Sequence, residues 1–146
     1  MASETDLIGT WELVDWTITY SDGREPTLPY GDGPTGMIVY NADGHMSATI
    51  ARSRRLPLSH LNTRLAPQPE KAAAFDSYFH YGGTWRIEGD SVVHAVTLAL
   101  NPAFVGTDQV RKIELDGDDL TLSAEVTSAS GATLRNAIHW RRAGAA

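Results

Sequence analysis

Short runs of alternating apolar and polar residues recur along the chain, separated by turn signals, and this period-two pattern predicts strands. Thr10 to Tyr20 (TWELVDWTITY) is the first run, rich in Trp, Thr, Val and Ile. Gly36 to Tyr40 and His45 to Arg52 flank Asn41-Ala42-Asp43-Gly44, a hairpin turn. Gly82 to Glu88 and Ser91 to Leu100 flank Gly89-Asp90. Gln109 to Leu115 and Leu120 to Val126 flank Asp116-Gly117-Asp118-Asp119. A last run, Thr133 to Arg142, follows Ser128-Ala129-Ser130-Gly131. The stretch from Ser21 to Thr35, with Pro26, Pro29, Pro34 and three glycines, reads as loop. Ser53 to Tyr81 breaks the pattern. There Pro69 starts a predicted helix reaching Tyr81, with Phe75, Tyr78 and Phe79 on one face. The expectation is all-β: a single domain over 1–146 forming an eight-stranded antiparallel up-and-down barrel, with one helix between strands 3 and 4. A two-sheet sandwich is the rival.

Turn geometry sets register, and register decides which side chains share a face. Gly89-Asp90 as a two-residue turn places Trp85 opposite His94 and Tyr81 opposite Leu98. Gly117-Asp118 as the turn sets Leu115 against Leu120, Ile113 against Leu122 and Arg111 against Ala124. Closing the Asn101 to Thr107 loop symmetrically puts Val96 across from Arg111 and Leu98 across from Gln109. One face then gathers the large apolar residues of these four strands, Val126 among them, and is the expected interior. It also carries Tyr81, His94, Gln109 and Arg111, clustered towards one end, with Gly83 and Ala124 beside Arg111 leaving volume. A buried arginine is costly unless paired, and a ligand cavity is one reason to keep it. On the first strand, Trp11, Leu13 and Asp15 alternate, which would make Asp15 a partner for Arg111. Trp16, Ile18 and Tyr20 break that alternation, through either a bulge or an outward patch for a homodimer.

Composition narrows the function. The chain has 146 residues, 12 Lys plus Arg and 18 Asp plus Glu, for a net charge of −6. An acidic chain is poorly suited to displacing counterions from phosphates, so no nucleic-acid partner is expected. There are no cysteines, which removes disulfides, thiolate metal sites and a cysteine nucleophile. The histidines at 45, 60, 80, 94 and 139 lack metal-ligand spacing, and no nucleotide-binding glycine motif or nucleophile elbow occurs. No metal and no cofactor are expected. No apolar run approaches a membrane span and Met1 to Asp6 lacks a signal-peptide core, so no membrane partner and a cytoplasmic location are expected. Arg52, Arg54, Arg55 and Arg64 form a basic island in this acidic chain, read either as a solvated loop or as a guide for an anionic substrate.

Leu7-Ile8-Gly9-Thr10-Trp11 resembles the Gly-x-Trp opening of calycin barrels. That resemblance implies that Trp11 plugs the closed end beneath a basic residue from Trp140-Arg141-Arg142. Gly36 to Tyr40, Asp43 to Ala48, Tyr81 to Trp85, Val93-His94 with Pro102, Gly106 and Arg111, then Asp116 to Leu122 and Trp140, together resemble the bacterial and fungal lipocalin-like domain family. The resemblance covers nearly the whole chain. It implies a small-ligand barrel, and barrels of related architecture include cyclases and isomerases of natural-product biosynthesis. It carries over no universal catalytic residue.

The leading expectation is a cofactor-free cyclase or isomerase acting on a hydrophobic, oxygenated polyketide- or terpenoid-like intermediate. The alternative is a carrier that sequesters a small hydrophobic metabolite unchanged. His94 is a candidate general acid or base, or else a satisfied core histidine. Arg111 is a candidate for polarising a carbonyl or holding a carboxylate, or else one half of a structural ion pair. Tyr81 is a candidate proton donor. Gln109, Trp85, Tyr40, Val96, Leu98, Ala124 and Gly83 are candidate ligand contacts; for Tyr40 and Trp85, core filling is the competing reading.

Overall fold

The computed structural model describes residues 1–145. Eight strands follow one another around a closed antiparallel barrel: β1 (Gly9–Tyr20), β2 (Thr35–Tyr40), β3 (His45–Ala51), β4 (Tyr78–Glu88), β5 (Ser91–Ala99), β6 (Asp108–Asp116), β7 (Asp119–Thr127) and β8 (Thr133–Arg142). Closure by β1 on β8 leaves no sheet edge, so every strand finds partners on both sides. A short helix α1 (Glu4–Leu7) precedes β1, and α2 (Gln68–Asp76) lies between β3 and β4.

Tight turns gather at one end, which is closed. Leu7 and Trp11 are fully buried there, and the Trp11 indole N–H donates to the Leu7 carbonyl at 2.9 Å. The Arg142 guanidinium lies 4.1 Å over the Trp11 ring and donates to the Asp6 and Ile8 carbonyls. The arrangement implied by the calycin resemblance is thus present, with Arg142 as the basic partner. The longer loops gather at the other end.

Several expectations are corrected by local geometry. The helix stops at Asp76 rather than Tyr81. Tyr78 pairs with Ala51 and Phe79 with Ile50, so the aromatic run is strand and its alternate members face the barrel. No residue of α2 is buried, and Phe75 does not share a helical face with Tyr78 and Phe79.

Across β4 and β5 the register shifts between Gly82 and Gly83: Gly83 opposes Val96, Gly82 opposes Leu98, and Tyr81 meets Ala99 instead of Leu98. The extra residue, Thr97, reverses the facing beyond it, so Leu98 points outward and is 68% exposed. A Cβ on Gly83 would stand 1.9 Å from the Ala95 carbonyl oxygen. This glycine therefore permits close approach of two backbones at the bulge; it does not open volume in the lumen.

Between β5 and β6, Arg111 faces Val92 and His94 faces Gln109, so the symmetric closure of the loop does not hold. The loop folds back instead, with the Val96 N–H donating to the Thr107 carbonyl and the Gly106 N–H to that of Val96. The shift is even, and His94 and Arg111 keep their inward facing. On β1 the register shifts between Leu13 and Asp15. The bulge turns Trp16 inward and Asp15 outward, where Asp15 bonds to His139 and not to Arg111. Val126, at the open end of β7, is exposed.

Candidate functional site

Within the barrel lies a partly open cavity of about 170 Å3. A dry cavity of about 150 Å3 accommodates benzene, so the enclosed part suits roughly one ring. Its wall is mostly apolar, with Ile38, Ile50, Leu122 and Ile138 on the sides and Phe79 and Phe104 meeting edge to face at 5.8 Å. The polar members are Trp16, Tyr81, His94, Arg111, Asn136 and Trp140.

His94 is the centre of a hydrogen-bonded row. Opposite Trp85 on β5, it is 1% exposed. Its Nε2 lies 2.7 Å from the Tyr40 hydroxyl and its Nδ1 lies 2.6 Å from the Tyr81 hydroxyl. Burial, and secondarily the Arg111 charge, push the imidazole down to about 3, so it is neutral near pH 7. Burial also raises the Tyr81 hydroxyl to about 12 and carries Tyr40 well above its usual value; the Arg111 charge opposes both shifts. All three groups are uncharged at neutral pH. A neutral imidazole has one N–H, so one phenol accepts from His94 while the other donates to it. When Nδ1 carries the hydrogen, the Tyr81 O–H is released to point at a cavity occupant.

Arg111 reaches the same cavity from β6. Its Nη1 donates to the Val110 carbonyl at 2.8 Å and its Nη2 to Gln109 Oε1 at 3.3 Å. Gln109 in turn donates to Thr107 at 2.9 Å, which ties the guanidinium to the β5–β6 loop. Among the described residues no carboxylate lies within 4.0 Å of Arg111.

The three candidate catalytic residues, His94, Arg111 and Tyr81, therefore share one cavity wall. The candidate ligand contacts are placed elsewhere. Tyr40 and Trp85 pack with ring planes tilted and centroids 4.9 Å apart in the core beyond the wall, with the Trp85 N–H on the Asn41 carbonyl. Val96 is core, and Gln109 acts through Arg111. Ala124 and Gly83 do not border the cavity, and Leu98 faces away.

Several wall residues escaped the sequence reading. Helical spacing hides Phe79, the connection after β5 hides Phe104, and the broken alternation of the first strand leaves the facing of Trp16 open. The Trp16 indole N–H donates to Asn136 Oδ1 at 3.0 Å, and its ring stacks on Tyr30 at 5.1 Å. Alternation along Thr133 to Arg142 would have placed Asn136, Ile138 and Trp140 on one face. The Trp140 indole N–H is buried without a hydrogen-bond partner. No group of three or more His, Asp or Glu among the described residues is placed to hold a metal ion, and no helix there is long and apolar enough to cross a membrane.

No curated protein and no solved structure matches the chain. The family model described as a lipocalin-like domain matches residues 8–143, which is nearly all of the barrel. With the closed eight-stranded architecture and the capped Trp11 end, this shows that the chain belongs to the lipocalin-like domain family.

Proposed function

We propose that the lumen binds a small, mainly apolar molecule through an acceptor oxygen, and that the barrel acts on it as a cofactor-free isomerase or cyclase. The observation carrying this reading is the Tyr81 hydroxyl, held on buried His94 beside Arg111, on the wall of an otherwise apolar cavity. Buried, strongly shifted titratable groups collected at a cavity are costly and mark functional sites.

The chemistry available is that of an acid. A carbonyl oxygen between Arg111 and the Tyr81 O–H is polarised, and negative charge growing there is stabilised by donors already in place. The Tyr40–His94 pair fixes the Tyr81 hydroxyl. The apolar wall holds the substrate in a reactive conformer, and positioning of this kind supplies up to ~7–11 kcal/mol of a barrier. A polyketide- or terpenoid-like intermediate fits with one oxygenated ring enclosed and the remainder outside the cavity.

The alternative is a carrier, favoured by the absence of a carboxylate base among the wall residues and by a histidine too acidic to serve as base near pH 7. Incubation with a panel of cyclic enones and aryl ketones, with products separated by chromatography and mass spectrometry, decides between them. Conversion that Arg111→Gln and Tyr81→Phe both reduce by about tenfold or more supports the enzyme. Bound compounds recovered unchanged establish the carrier. Absence of binding by this panel and by carboxylates of matching shape overturns both readings.

A further inference from the structure

Among the described residues bordering the lumen, the polar side-chain atoms left without a partner are donors. Asn136 uses its amide oxygen to accept from Trp16, which leaves its nitrogen for an occupant. The buried Trp140 N–H has no partner. Arg111 meets only two neutral oxygens, which accept hydrogen bonds without balancing its charge. Among the described residues no Asp or Glu borders the cavity.

The distribution of the other arginines sharpens the contrast. Arg24, Arg86, Arg135, Arg141 and Arg142 each pair with a carboxylate. Among the described residues, the arginines without one are Arg111 and the loop residues Arg52, Arg54, Arg55 and Arg64. Arg52 lies over the Tyr30 ring and Arg55 over that of Tyr78. Both tyrosines border a recess outside the Phe79–Phe104 pair, which also contains one acid, Asp76. Positive charge without a partner thus collects at the entrance and inside, in a chain that is acidic overall.

We infer that the lumen's ligand is an anion, a small cyclic carboxylate whose carboxyl group is held by Arg111 and the Tyr81 hydroxyl and whose ring lies among the isoleucines of the wall. This rests on the lumen being a binding site and names the class of molecule it takes. A carboxylate offers acceptors only, complementing the donors of the wall and supplying the counter-charge that Arg111 lacks. A neutral ketone satisfies Tyr81 and leaves that charge unbalanced. The carboxylate also selects one state of the buried row: Tyr81 must donate to it, so the His94 hydrogen lies on Nδ1 and Tyr40 donates to Nε2.

Cinnamate and cinnamamide, which match in shape and differ in charge, provide the test. Calorimetry on the folded protein is expected to show cinnamate binding about tenfold or more tightly than the amide. Arg111→Gln is expected to abolish the difference and Arg111→Lys to restore part of it, with circular dichroism confirming that both variants fold. Nitrogen-15 NMR of labelled histidine is expected to report the Nδ1–H tautomer of His94 in the cinnamate complex. Equal affinity for acid and amide, or a preference unchanged in Arg111→Gln, overturns the anion assignment while leaving the lumen a binding site. If neither these probes nor the neutral ketone panel bind, the lumen is not a binding site and both proposals fall.

Discussion

His94 shows how one residue couples the interior to solution conditions. Its imidazole takes a proton near pH 6.5 in the unfolded chain and near 3 in the barrel. Between those values the unfolded state binds more protons, so stability falls as pH drops through that window, by up to ~1.4 kcal/mol per unit. Urea unfolding at pH 5.5 and pH 7.5 is expected to show a loss from this group of about 1.4 kcal/mol at the lower pH. His94→Gln, which keeps an amide between the two phenols, is expected to flatten that dependence while lowering stability at pH 7.5. An unchanged pH dependence in the variant would place its origin elsewhere. Gly83 carries the opposite lesson. In the sequence it reads as space beside Arg111, yet its missing Cβ is required by an adjoining backbone. A glycine's purpose depends on what approaches it, which one strand's pattern does not contain.

At the scale of elements, the two bulges account for most of the difference between pattern and structure. With Val14 set aside, TWEL followed by DWTITY alternates without fault, and Trp11, Leu13, Trp16 and Ile18 face one way. The homodimer patch on Trp16 loses its basis, because that ring is a cavity wall. Thr97 does the same for β5 and accounts for the outward Leu98. A bulge is decided by both strands of a pair, so one strand's alternation shows only that something is out of phase. The helix failed for a different reason: Tyr78 and Phe79 satisfy helical spacing, but pairing with β3 buries them better. What remains of α2 has no buried side chain. Hydrogen exchange followed by mass spectrometry is expected to show amides 68–76 exchanging about 100-fold or more faster than those of β4 and β8. Equal protection would mean that α2 opens only with the barrel.

For the whole molecule, closure depends on residues more than a hundred positions apart. β1 meets β8, and Arg142 near the end of the chain covers Trp11 near its start. Arg142→Ala removes the guanidinium from the ring and two hydrogen bonds to carbonyls of the α1 segment. It is expected to cost about 1–3 kcal/mol in urea unfolding. Because this plug lies at the closed end, binding of lumen probes at saturating stability should remain. Loss of binding in a still-folded variant would show that the two ends of the barrel are coupled.

The sequence by itself determined the strand count, the tight turns, the all-β class and the inward facing of His94, Arg111 and Tyr81. Each follows from short-range pattern and turn chemistry, or from an even shift of register that leaves facing unchanged. The Trp11 plug is implied by the calycin resemblance and not by the pattern. Closure into a barrel rather than a sandwich was decided by the pairing of β1 with β8. Only the tertiary structure decided which inward residues border the cavity and which fill the core beyond it. Strand tilt and closure bring side chains of all eight strands to one space, a meeting no local window records. It also decided that Arg111 lacks a carboxylate, since the bulge at Val14 sends Asp15 to His139 on the outer wall.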